Sequence, residues 1–160
     1  MQTFFAQYGD LILKLFLALL LGSFVGLERT VAGKQAGMRT YALVTMGSCL
    51  FILVSEMMRL NLAGMAPAFD PSRIASQIVV GIGFIGAGLI IFQGKNVHGL
   101  TTAAGLWVAA GVGMAIGFGL YMLALISALF ILITFSLFWR VERLISPQTV
   151  PDRCNSKSEE

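Results

Sequence analysis

The sequence predicts an all-α polytopic membrane protein: a bundle of about five transmembrane helices, N-terminus out and C-terminus in. Three observations predict it. First, 57% of the 160 residues are hydrophobic and 12% are charged, about half the ~25% that a soluble domain carries. Mean hydropathy is +0.84. So little charge cannot cover a globule of this size, which excludes a soluble enzyme, a disordered regulator and a disulfide scaffold. Second, the apolar residues fall into runs near the ~20 residues that cross a bilayer as a helix. Third, Lys and Arg are distributed unequally between the connections, which sets orientation.

The spans are Leu11–Leu27, Thr40–Met58, Ile74–Phe92, Leu100–Ile116 and Leu120–Trp139. Each must be helical, because a lone apolar run satisfies its backbone in lipid only that way. The first is read as a retained span: no Lys or Arg precedes Asp10, and no small-residue cleavage site follows the run. Residues 28–39, 59–73 and 93–99 connect the next spans. Gly117–Gly119 forms a very tight reversal, which glycine permits. Residues 1–139 thus form a transmembrane domain. Residues 140–160, with Pro147 and Pro151, form a short polar tail expected to be weakly ordered.

Arg29, Lys34, Arg39, Lys95, Arg140, Arg143, Arg153 and Lys157 fall on one side of this arrangement; Lys14, Arg59 and Arg73 fall on the other. The richer side is expected to be cytoplasmic. Trp139 suits an anchor at the inner interface, Tyr8 and Tyr121 at the outer one, with Phe4 and Phe5 dipping into outer headgroups. The tail's charges sum to zero, so the net +3 belongs to the membrane body. The pI near 9.1 therefore reflects membrane-flanking cations, and no basic stripe interleaved with aromatics suggests a nucleic-acid partner. Cys49 in an apolar run and Cys154 in the tail read as a small apolar residue and a free thiol.

Small residues recur every four positions: Ala18, Gly22 and Gly26 on the first span, Gly83 and Ala87 on the third, Gly113 and Gly117 on the fourth. Such spacing lets helices approach closely where no hydrophobic force drives them together. Gly22, Gly26, Gly81, Gly83, Gly86 and Gly88 are the expected helix-packing positions. A subunit interface, as in a homo-oligomer, is the alternative use of the same stripes. The literal G-x-G-x-x-G at Gly81–Gly86 is no dinucleotide site: no strand precedes it, and no Asp or Glu occurs between Asp70 and Glu142.

Two polar constellations stand out. Asp70 suits the N-cap of the third helix and Pro71 its first position, with Arg73 and Gln77 one turn apart on one face. Either this is a capped helix with a snorkelling Arg, or Asp70, Arg73 and Gln77 form an outward-facing polar entrance. On the other side Glu28, Arg29, Arg39, Thr101 and Thr102 should converge, because short loops join their helix ends. Glu28 and Arg39 can pair at the water boundary, and Thr101 or Thr102 can cap the fourth helix or bond across helices. The group is either a solvated rim or a gate or docking surface centred on Glu28, Arg29 and Arg39. Glu56 can reach the headgroups or pair with Arg59 or Arg73, and Lys14 can snorkel. His98 lacks a second His or nearby acid that would make it a metal ligand. No catalytic set, metalloprotease motif or P-loop occurs, so neither an enzyme nor a bound cofactor is expected.

The ordered strings Gly22-Ser-Phe-Val-Gly26-Leu-Glu28-Arg29, Ala36-Gly37-Met-Arg39-Thr40, Asp70-Pro71-Ser-Arg73 through Gln77 to Gly88, and Gly99-Leu-Thr101-Thr102, with Trp107 following, resemble the MgtC/SapB family over residues 20–125. The resemblance implies a multi-pass protein of the bacterial inner membrane, tied to growth at low magnesium and to virulence through survival inside macrophages. It also implies regulation through membrane-protein partners, the F-type ATP synthase among them. A small Mg²⁺ transporter, channel or accessory subunit is the alternative, with Mg²⁺ transported or sensed. The acids of the membrane body are Asp10, Glu28, Glu56 and Asp70, none clearly at mid-bilayer, which leaves one protomer short of ligands for a hard cation. Longer members carry a soluble domain after the last span, where this sequence has about 20 polar residues.

Overall fold

A computed structural model describes residues 2–61, 70, 72–94 and 96–145. In chain order these form α1 (Gln2–Val31), α2 (Met38–Asn61), α3 (Ser72–Leu89), β1 (Ile91–Gln93), β2 (Asn96–His98), α4 (Leu100–Gly117), α5 (Tyr121–Ile133), a π-helical segment (Thr134–Phe138) and α6 (Trp139–Ile145). Among the described residues, five stretches are long and apolar enough to cross a membrane: Tyr8–Val31, Met38–Asn61, Ser72–Leu89, Leu100–Gly117 and Tyr121–Glu142. Readings that involved Phe4, Phe5, Pro71, Lys95, Cys154 and the tail beyond Ile145 lie outside the described side chains.

α4 is the central helix. It packs against every other spanning helix, and its buried residues run from Thr102 to Gly117. Its small side chains explain this. Gly105, Ala109, Gly113 and Gly117 repeat every four residues on one face, and at three of them a neighbour occupies the place of a side chain. A Cβ on Gly113 would lie 2.0 Å from the Thr45 carbonyl oxygen, and one on Gly117 would lie 2.7 Å from Ile52 Cβ. α1 meets α2 in the same way: a Cβ on Gly22 would lie 2.7 Å from the Tyr41 carbonyl oxygen, and one on Gly26 would lie 2.6 Å from Met38 Cα. With lipid outside and apolar residues on all faces, this close van der Waals packing drives association.

α3 is different. Only Ile82 and Gly86 are buried, Gly86 resting against Ala103 of α4. Gly81, Gly83 and Gly88, expected as packing positions, have nothing within 4 Å of an added Cβ. Among the described residues they face open space, because α3 leans on α4 along the line of Ile82 and Gly86, one side away from them.

The connections correct further expectations. α3 ends at Leu89, and Phe92 belongs to a short antiparallel hairpin in which it pairs with Val97, where a loop over 93–99 was expected. Gly94, with φ +60°, turns the hairpin. The α4 cap is Gly99, left-handed at φ +85° and without a side-chain cap bond. A Cβ there would strike the Leu89 carbonyl oxygen at 1.9 Å. Thr101 and Thr102 lie past the cap, so neither serves as one. Between α4 and α5, Gly119 at φ +78° closes a Schellman turn, with the Leu120 amide donating to Ala115 O and the Gly119 amide to Ile116 O.

Candidate functional site at the Arg29 end of the bundle

The site is built where α1, α2, α4 and α5 meet. Gly22 and Gly26 let α2 lie directly on α1, which sets Tyr41 beside the last turn of α1. Thr30 fixes that junction: its hydroxyl donates to Gly26 O (3.1 Å) and accepts from the Met38 amide (2.8 Å), supplying the first turn of α2 with a partner. Gly105 on α4 leaves the space into which both the Tyr41 hydroxyl and the Phe135 ring project, each 2.4 Å from where its Cβ would be. The Tyr41 hydroxyl donates to Thr102 O at 3.4 Å, and its ring meets Phe135 edge-on at 6.4 Å and 87°.

Into this pocket turns Arg29, only 3% exposed. Its guanidinium carbon stands 3.6 Å above the Phe135 ring centroid. Nη2 donates to Phe135 O at 3.5 Å, and Nε donates to the Glu28 carboxylate. A guanidinium stays charged under all ordinary conditions. Buried, it needs a counter-ion and a polarisable face, and Glu28 and Phe135 supply them. Phe135 belongs to the π-helical segment, a rare geometry that recurs at functional positions. The buried seam of α5 ends there: Ala124, Ala128, Ile131 and Phe135 point inward, and Trp139 is exposed.

Of the residues expected at this end, the structure brings together Glu28, Arg29 and Thr102, the last through its carbonyl. Arg39 and Thr101 stay apart and exposed. The expected Glu28–Arg39 pair is replaced by Glu28–Arg29, because Arg29 folds inward and keeps the carboxylate with it. Arg39 makes no ion pair among the described residues. Sequence reasoning missed Tyr41, Gly105 and Phe135; the four-residue repeat of small residues on α4 was the available signal for Gly105.

Asp70, Arg73 and Gln77 lie toward the other end: Asp70 precedes the 18 residues of α3, ~27 Å of helix rise, and Arg73 and Gln77 stand in its first two turns. Asp70 caps α3: its carboxylate accepts from the Ser72 amide (2.9 Å) and hydroxyl (2.8 Å). The hydroxyl bond, the amide bond and the nearby Arg73 cation hold it below the ordinary carboxylate range. A depressed acid contributes its cap above its ordinary pKa of ~3.9 and loses it as pH falls through the depressed value. Protection of the Ser72 amide, its exchange relative to the intrinsic rate at each pH, is therefore expected to hold from neutrality to that point and to fall below it. Asp70→Asn should keep the cap without the pH dependence, and Asp70→Ala should lose it throughout. Elsewhere Lys14 pairs with Asp10 (3.0 Å) and Glu56 with Arg59 (2.8 Å). Among the described residues, no three of His, Cys, Asp and Glu gather as a metal site.

Residues 15–144 match the profile of the MgtC family. The chain is 43% identical over 135 residues to the protein named "Putative magnesium transporter YhiD" of Escherichia coli K12, covering 81% of this chain and 61% of that protein. It is 40% identical over 155 residues to SrpB of Synechococcus elongatus (90% and 85% of the two chains). It is 48% identical over 122 residues to MgtC of Salmonella typhimurium LT2 (76% and 49%). The chain thus spans about three fifths of the length of YhiD and about half that of MgtC. No solved structure matches. With the match running from α1 into α6, and with Glu28, Arg29 and the α3 glycines inside it, the chain belongs to the MgtC family.

Proposed function

We propose that this MgtC-family protein is a non-catalytic regulator in magnesium-limited physiology, supporting intracellular survival. It acts by contact with other proteins of the bacterial inner membrane, the F-type ATP synthase among them, with the Arg29 end in the cytoplasm. One observation carries this reading. The two polar clusters occupy opposite ends of the bundle, and the α2–α4 seam between them is filled by Thr45, Ser48, Ile52, Gly113 and Gly117 in contact. A Mg²⁺ path needs oxygen ligands in series for a cation that dehydrates reluctantly, and this seam supports packing instead.

The test is a pair of measurements on the purified chain. In proteoliposomes, Mg²⁺ uptake is expected to match empty liposomes. Crosslinking in native membranes followed by gentle solubilisation is expected to recover a membrane protein partner. Uptake above background that Asp70→Asn abolishes would overturn the reading in favour of transport, which the name of the relative YhiD favours. In a low-magnesium growth assay at matched protein levels, Arg29→Ala, Arg39→Ala and Asp70→Ala are expected to impair function more than Lys14→Ala or Glu56→Ala. Each of the last two removes one partner of a pair within a single helix turn, worth ~0.2–0.5 kcal/mol.

A further inference from the structure

The least embedded helix borders an unfilled cleft. Between α2 and α3 lies a groove of about 620 Å³, walled by Gly47, Ser48 and Phe51 on one side and by Gln77, Gly81 and Ile85 on the other. A Cβ on Gly47 or Gly81 would meet nothing within 4 Å among the described residues. Glycine is a poor residue inside a helix, so two that touch nothing leave room for something else.

Two polar groups say what that is. Ser48 is 5% exposed and lines the groove, with no side-chain hydrogen bond among the described residues. Gln77 is exposed on the facing wall, without a side-chain hydrogen bond among those residues, and lies ~7.5 Å along the spanning helix from its start. Facing hydrocarbon, an amide and a hydroxyl are left unsatisfied. An acyl chain fills the volume and answers neither group. A transmembrane helix answers both, since small residues beside Ser or Gln are what helix interfaces in membranes use.

We infer that the groove is a self-association surface, with α3 of a second copy of this chain seated against α3 and α2 of the first. The chemistry of Gln77 selects a second copy. A primary amide is donor and acceptor at once, so it can satisfy its own twin. Two copies of one polypeptide share an orientation in the membrane, so a two-fold axis along the bilayer normal sets α3 parallel to α3, with both Gln77 residues at one depth. On α3, Gln77, Gly81, Ile85 and Gly88 share the face that would meet. This inference is independent of whether the protein regulates or transports.

The test uses the full chain in native membranes, with Cys49 and Cys154 replaced by alanine. Under mild oxidation, Gly81→Cys is expected to give a covalent dimer. Gly83→Cys, two residues on and so on the opposite face, should give none. In nanodiscs, Gly81→Leu and Gly47→Leu are expected to abolish the dimer while leaving the helical content of the monomer unchanged. Gln77→Leu should weaken self-association about threefold, the size of one interhelical hydrogen bond in a bilayer. The inference is overturned if Gly81→Cys gives no dimer or Gly83→Cys gives as much. It is equally overturned if Gly81→Leu still dimerises, if the Gly81 position crosslinks to a different protein, or if the chain is a monomer with phospholipid held in the groove.

Discussion

Gly113→Ala is expected to lower the melting temperature of the detergent-solubilised chain sharply, whereas Gly111→Ala, two residues away on the same helix, is expected to leave it unchanged or raise it. At Gly113 a methyl group would lie 2.0 Å from Thr45 O and 3.0 Å from Ser48 Cβ. The first of these is backbone, so no side-chain rotation relieves it and α2 must move off α4. Overpacking of a tight core costs ~1–3 kcal/mol, more where backbone must shift. The loss spreads along the seam to Gly117 and Ile52. At Gly111 the same methyl group would meet nothing within 4 Å, and alanine is the better helix former by ~1 kcal/mol. Thermal melts of the two variants at matched detergent check the contrast. Equal shifts would mean that the α2–α4 contact does not hold the bundle together.

This contrast marks the border of what could be read in advance. The spans were legible because bilayer thickness fixes helix length and lipid forbids unpaired backbone, and α1, α2, α4 and α5 lie where hydropathy placed them. The cap at Asp70 and the glycine reversal after α4 were legible from local chemistry, since both depend on a few adjacent residues. The buried sides of the helices were not. In water, a helix betrays its inner face by contrast between apolar and polar sides; in lipid both sides are apolar and the contrast disappears. Gly81, Gly83 and Gly88 look like packing glycines as much as Gly22, Gly26, Gly113 and Gly117 do, yet only the latter four meet a neighbouring helix within this chain. Phe135 is one of many phenylalanines in the sequence until the fold brings it beneath Arg29, over 100 residues away. The Glu28–Arg39 expectation failed for the same reason: it assumed that Arg29 faces water, and only the tertiary position of Phe135 shows why the guanidinium turns inward.

Arg29 is where the second large effect is expected. Replacing it with methionine, which keeps much of the volume and removes the charge, leaves the Glu28 carboxylate, 23% exposed in its side chain, beside an apolar wall without its cation. Breaking a buried pair costs ~3–5 kcal/mol. Because Glu28 retains access to water and can hydrate, the lower end of that range is expected. Part of the cost belongs to the ring rather than the carboxylate: a guanidinium over a desolvated aromatic face contributes ~2 kcal/mol. A double-mutant cycle separates the two. Phe135→Leu alone removes the ring while keeping an apolar side chain, and it also frees space beside Gly105 and Tyr41. If the contact at 3.6 Å is an attraction, the combined variant should be ~1–2 kcal/mol less destabilised than the two single changes added together, the ordinary coupling of residues in contact. Arg29→Lys should recover the charge but not the flat guanidinium that lies on the ring while reaching both Glu28 and Phe135 O, and so should rescue only partly. Strict additivity in the cycle, or full rescue by lysine, would reduce the site to a point charge at the membrane border. Coupling with partial rescue would identify it as a clamp joining the end of α1 to the π-helical segment after α5. The functional counterpart is a fixed surface at the Arg29 end, held in one shape by a buried cation. Loss of partner recovery in Arg29→Met, with retention in Lys14→Ala at equal expression, would tie that surface to the regulatory role.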